Sequence, residues 1–263
     1  MHLFCYIVLP PFNQSLTFPD KPLHRYSTSE MAHDVLEAVN HIGWTSSRQL
    51  HVAGISMGGM IAQEFALLVP ERIASLSLIS TAAGLVNTVG WWPNLKNRAQ
   101  LFIPKPIDMQ LALVKKNLFT EKWLSSPDDL KDECTKEPFP TNGDRASAGE
   151  IAKRKDPASF GKLGFISQAI AAGWHHKSPE QLKELADKVG RDRIMVVHGT
   201  VDQMITFSHA ETLLAQLGGE EGGVTKHFVE GQGHVIPIEI RKTFDAWLEE
   251  MIEKGERLNA AGN

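Results

Sequence analysis

Apolar residues fall along this chain in two rhythms. Short runs, Leu50–Ala53, Ile73–Ile79, Ile194–Val197 and Val224–Val229, read as strands, and Leu3–Leu9 reads as another. Between them the spacing becomes helical. Ser27-x-x-Glu30 makes a capping box, and Met31, Val35, Val39 and Ile42 follow until Gly43 stops the helix. Met60–Val69 is helical and Pro70 ends it. Ala210, Leu213, Leu214 and Leu217 form the stripe of a later helix. Pro237–Ile252 is the last one, with Phe244, Trp247, Leu248 and Met251 at core spacing. Strands alternating with helices predict an α/β fold with a mostly parallel sheet flanked by helices.

From Gly84 to Gly190 the alternation stops. Leu111, Val114, Leu118 and Phe119 form one amphipathic set, and Phe165, Ile166, Ala169 and Ile170 another. Ser178-Pro179-Glu180-Gln181 opens a helix that Gly190 closes. Roughly a hundred residues with this much pattern are too ordered for a loop and read as a helical cap. The division expected is a core of residues 1–83 and 191–263 with a cap of 84–190. Trp91, Trp92 and Trp123 lie in the cap as candidate walls of an apolar pocket, with ordinary packing as the alternative for each. Thr141–Asp144 reads as an exposed turn, and Asn259–Asn263 as a frayed tail.

Candidate chemistry sits at strand ends. Gly54-Ile55-Ser56-Met57-Gly58 follows one strand and opens a helix. Small residues two before and two after Ser56 suit a turn with no room for Cβ atoms, and the turn aims helical N–H groups, Met57's first, at an anion forming there. Asp202 follows the run Ile194–Val197 and His234 follows Val224–Val229. A hydroxyl needs a base, and the base needs an orienting acid. Serine, acid and histidine each follow their own strand, in an order known for such triads.

On these residues the chain resembles the α/β-hydrolase superfamily, in particular its capped serine hydrolases. The resemblance runs from Tyr26 to Glu250 and is carried by Gly54–Gly59, Gly199–Asp202 and Gly233-His234. It implies Ser56 as nucleophile, Asp202 as acid and His234 as base, with the Met57 N–H as one oxyanion donor. The implied reaction is cofactor-free hydrolysis of an ester, lactone or related acyl substrate, small and apolar or amphipathic. Serine at position 56 argues against the branches that use an aspartate nucleophile. The N-terminus departs from the family. Only 55 residues precede Ser56, no His-Gly pair occurs among them, and Pro11–Pro22 resembles a degenerate form of the loop that follows the family's fourth strand. The expectation is that the first three strands are missing, leaving a sheet edge uncovered and the second oxyanion donor without a source. The competing expectation is a weakly active or non-catalytic ligand-binding or interaction protein, or the product of a truncated gene model.

Composition narrows the partners. Of 263 residues, 27 are basic and 31 acidic, a net charge of -4 that gives no reason to expect nucleic acid. Cys5 and Cys134 are too far apart for a disulfide framework or a zinc pattern. No apolar run is long enough to span a membrane and no signal peptide is evident, so the expected location is the cytoplasm. His51 reads as packed or edge-exposed, and His198 as structural, with a hydrogen bond near the site as its alternative. Adjacent His175 and His176 point in different directions, so no metal site is expected. Gly58-Gly59 lacks the lysine of a phosphate loop.

Overall fold

The computed structural model of the protein describes residues 27–85, 106–128, 139–155 and 162–262. Four parallel strands lie in the order β1 (Leu50–Ile55), β2 (Ile73–Ile79), β3 (Ile194–Gly199) and β4 (Thr225–Val229). β2 and β3 are buried along their whole length. A parallel sheet is covered on both faces, which explains the apolar run of β3 and why the polar positions within β2, Ser75 and Ser77, are small.

Period-two alternation divides the core between the faces. Ile194 and Val196 of β3 pack with α1 (Thr28–His41), α2 (Met57–Leu68) and the helix Pro179–Val189. Met195 and Val197 pack with Ile236, Phe244 and Met251 from the C-terminal helices. The capping boxes at Ser27/Glu30 and Ser178/Gln181 form as their spacing requires. Ile42 falls just past the end of α1 and is exposed rather than part of its buried stripe.

The segment between β2 and β3 holds α3 (Ile107–Leu118), α4 (Glu121–Ser125), α5 (Asn142–Lys155), α6 (Lys162–Trp174) and α7 (Pro179–Val189). Leu182, Leu185, Ala186 and Val189 of α7 lie in the sheet's own core, so this last helix carries the chain back beneath the strands. The segment's two ends meet. Gly84 and His176 form an antiparallel bridge, and Lys177 N donates to Ala83 O at 2.7 Å. Beside this neck Lys177 Nζ lies 2.6 Å from Glu64 Oε2 of α2, and Thr28 Oγ1 lies 3.0 Å from His175 Nδ1.

Three local expectations are corrected. Thr141–Asp144 is not an exposed turn. Asp144 N donates to Thr141 Oγ1 and Thr141 N to Asp144 Oδ2, a reciprocal cap that starts α5 and buries Asn142 against Trp123 O. The last helix comes in two pieces, α9 (Ile236–Glu239) and α10 (Arg241–Ala261), with α8 (Phe207–Gln216) earlier in the chain. The break is at Ile240, whose backbone (φ -130°, ψ 45°) is not helical. Nor is the C-terminus frayed at Asn259. Its Nδ2 donates to Arg48 O and its Oδ1 accepts from Arg193, which extends α10 to Ala261. Leu3–Leu9, Pro11–Pro22, Cys5, Cys134, Trp91 and Trp92 lie outside the described residues.

Candidate active site

Parallel strands deliver their C-terminal ends to one edge, where open α/β sheets hold their ligands. Ser56 follows β1, Asp202 follows β3 and His234 follows β4. Ser56 has φ 54° and ψ -122°, a region L residues rarely occupy, and it sits directly before α2. Such a conformation costs about 1–3 kcal/mol and persists only where the surroundings impose it. They do so by shape and by two hydrogen bonds. A Cβ on Gly54 would lie 2.3 Å from Gly58 O, and one on Gly59 would lie 2.6 Å from Thr81. Ser56 N donates to Ile79 O at 2.9 Å, and Thr81 Oγ1 donates to Ser56 O at 2.7 Å. Gly58 meets no described atom within 4 Å, so the steric need falls on Gly54 and Gly59 rather than on Gly58. Met57 is the first residue of α2, and its N–H therefore has no acceptor within the helix.

Asp202 and His234 are joined by a 2.7 Å hydrogen bond from His234 Nδ1 to Asp202 Oδ2, and both are buried. The other carboxylate oxygen accepts from Met204 N at 2.7 Å and Ile205 N at 2.9 Å. His198 Nε2 donates to Ile205 O at 2.8 Å and lies 3.3 Å from Asp202 Oδ2. Burial alone would raise the Asp202 carboxyl. The N–H groups of His198 and His234, and the positive charge these rings carry when protonated, outweigh burial and hold it at about 2. The histidine loop approaches β3 closely, since a Cβ on Gly199 would lie 2.2 Å from Gln232 O.

Ser56 Oγ and His234 make no hydrogen bond with each other among the described residues. Such bonds are often long without substrate and tighten in the complex. Trp123 is buried and stacks on Phe119 with ring centroids 4.7 Å apart, so it packs the inserted segment. A cleft of about 720 Å³ opens beside it, lined by Lys115, Phe119, Leu124 and Thr141 among others, but Ser56, Asp202 and His234 do not reach it. Among the described residues no group of three metal-ligating side chains comes together, and no helix is long and apolar enough to cross a membrane. Sequence reading overlooked Thr81 and Glu239 and preferred a structural role for His198 over a hydrogen bond near the site. Nothing in their local spacing marks them, because each acts through a partner distant in sequence or through a backbone atom.

A family model of the alpha/beta hydrolase fold matches residues 4–239, and the chain belongs to that family. Among solved structures it is similar to a thermophilic esterase from Thermogutta terrifontis, with a TM-score of 0.60 and 19% identity, covering 88% of this chain and 74% of that one. It is also similar to a meta-cleavage product hydrolase from Pseudomonas fluorescens, with a TM-score of 0.58 and 16% identity, covering 90% and 74%. At these identities the likeness concerns the fold. A dihydrolipoyllysine-residue acetyltransferase component of the acetoin cleaving system from Cupriavidus necator is 25% identical over 235 residues, 88% of this chain and 54% of that protein. The stretches matched in the curated relatives span 24%, 16% and 54% of their lengths.

Proposed function

We propose that the protein is a serine hydrolase acting on an ester, lactone or related acyl substrate of apolar or amphipathic character. Ser56 Oγ attacks the carbonyl carbon while His234 Nε2 takes its proton. Asp202 holds the Nδ1–H tautomer and favours the imidazolium that forms. The Met57 N–H, at the positive end of α2, faces the developing oxyanion. The imidazolium then protonates the leaving group, and water activated by the same ring releases the acyl group from Ser56. The observation that carries this reading is the buried 2.7 Å bond between His234 and Asp202, at the same sheet edge as the strained Ser56 turn. The segment 84–190, with Trp91, Trp92 and Trp123, is assigned to the cap that bounds the acyl pocket, its last helix α7 packing in the sheet's core.

A second reading, a weakly active or non-catalytic ligand-binding protein, draws on the missing bond between Ser56 and His234. Labelling with a fluorophosphonate probe followed by peptide mapping separates the two. The hydrolase reading expects one labelled serine, Ser56, with labelling abolished in Ser56→Ala and strongly reduced in His234→Ala. A folded protein labelled elsewhere, or not at all, would favour the second reading.

A further inference from the structure

Glu239 is a buried carboxylate that the proposed chemistry does not use. It ends the short helix α9, five residues after His234, and its two oxygens face different parts of the chain. Oε2 accepts from Gly233 N at 3.2 Å, the amide just before the histidine. Oε1 accepts from Thr120 N at 2.5 Å, in the segment between α3 and α4. The same junction is tied in the opposite sense, for Leu118 O accepts from His234 N at 3.1 Å and from Val235 N at 3.3 Å. Gly233 is held close there, since a Cβ on it would lie 3.1 Å from Leu118 O.

We propose that Glu239 is a positioning residue that couples the inserted segment to His234, so that a shift of residues 118–120 moves the imidazole relative to Ser56. This rests on the reading of His234 as the base. The ring then has two anchors. One is Asp202, through Nδ1. The other is the main chain at 233–235, held by Leu118 and Glu239. With Nδ1 as pivot, motion of the inserted segment swings Nε2 towards or away from the serine. Ser56 Oγ and His234 make no hydrogen bond with each other among the described residues, and such motion would bring them within reach when substrate pushes on the insert.

The charged groups around this junction are Asp202, on the loop after β3, His198 behind it, and Glu239 from α9. Burial raises the Glu239 carboxyl above its ordinary value and the Asp202 charge adds to it, while the N–H groups of Thr120 and Gly233 and the Thr120 side chain oppose it. Protonation of Glu239 leaves an O–H where an acceptor is needed, so the link loosens at a higher pH than an ordinary glutamate would allow.

The test uses Glu239→Gln and Thr120→Pro on the whole chain, with Thr120→Ala and Ser56→Ala as references. Proline removes the Thr120 N–H, and the backbone suits it. Thr120 has φ -82° and ψ 147°, and the preceding Phe119 is extended at φ -120° and ψ 156°. Thr120→Ala removes the hydroxyl and keeps the N–H. Turnover of p-nitrophenyl acetate and the NMR resonances of the His234 ring are read together. In both Glu239→Gln and Thr120→Pro we expect kcat to fall by about ten- to a hundredfold with KM little changed, the scale of a misplaced catalytic group. Thr120→Ala, which keeps the N–H, loses less turnover than Thr120→Pro. In both Glu239→Gln and Thr120→Pro the NMR resonances of the His234 ring move from their parent positions. Parent kcat in folded Glu239→Gln and Thr120→Pro overturns the coupling, as do unmoved His234 ring resonances in Glu239→Gln. Turnover that survives in Ser56→Ala overturns the hydrolase reading instead, and the ring resonances then still decide whether Glu239 acts on His234.

Discussion

Around Ser56 the chain is held mainly by shape. Gly54 and Gly59 lie so close to backbone and to Thr81 that a Cβ would clash, and the polar side chains on the turn, Thr81 and Gln63, bond to its carbonyls. Around His234 the chain is held by hydrogen bonds and charge. Asp202 collects N–H groups on both of its oxygens, and Glu239 collects two from separate segments. A side held by sterics is sensitive to a methyl group and indifferent to pH, and a side held by charge behaves the other way round.

The largest expected effect isolates the charged side. Asp202→Asn keeps the volume but turns an acceptor into a donor facing His234 Nδ1, which selects the wrong tautomer. Activity on p-nitrophenyl acetate should fall by about 10⁴-fold, measured as kcat, with Ser56 still in its turn. A drop of less than tenfold would mean that the Asp202–His234 bond is not part of the reaction.

The steric side is broken by Gly54→Ala, which sets a methyl 2.3 Å from Gly58 O. Backbone cannot yield cheaply there, so a loss of about 3 kcal/mol in urea unfolding is expected. Gly59→Ala should cost less, because the atoms it meets belong to the Thr81 side chain.

An intermediate effect is the acid response. The Asp202 carboxyl is held at about 2 against an ordinary 3.8. A group depressed by folding contributes stability that is complete above its unfolded value and lost as pH falls through its folded one. Asp202 therefore contributes about 2 kcal/mol at neutral pH that disappears between roughly pH 4 and pH 2. Urea midpoints measured across that range should flatten in Asp202→Asn and keep their slope in Gly58→Ala.

Gly58→Ala carries the smallest effect and the opposite sign. Its Cβ meets no described atom within 4 Å and the residue is helical. A gain of about 0.5 kcal/mol is expected, read as a slightly raised urea midpoint.

These contrasts mark how far the sequence could be read. Strand runs, capping boxes and the order of Ser56, Asp202 and His234 were legible because burial and capping leave local, periodic traces. The role of Gly59 was partly legible, and that of Gly58 was misassigned, because sequence spacing does not reveal which glycine faces Thr81. The break at Ile240 left no proline or glycine to announce it. The anchoring of Asn259 depends on Arg48 and Arg193, far away in the chain. Glu239 has the same character: it accepts from backbone amides, which any residue but proline could supply.

The neck at Gly84 and His176 makes the long insert exchangeable. Its ends already lie side by side, joined by a backbone bridge and by Lys177 N to Ala83 O. Closing an insert of about ninety residues rather than about ten costs only about 2 kcal/mol more in chain entropy. What leaves at residue 85 and returns at 175 can therefore be lengthened, shortened or replaced at little cost in chain entropy while the strands below stay in register. The graft must meet one condition, a carbonyl and an amide presented where Leu118 and Thr120 now meet the histidine loop.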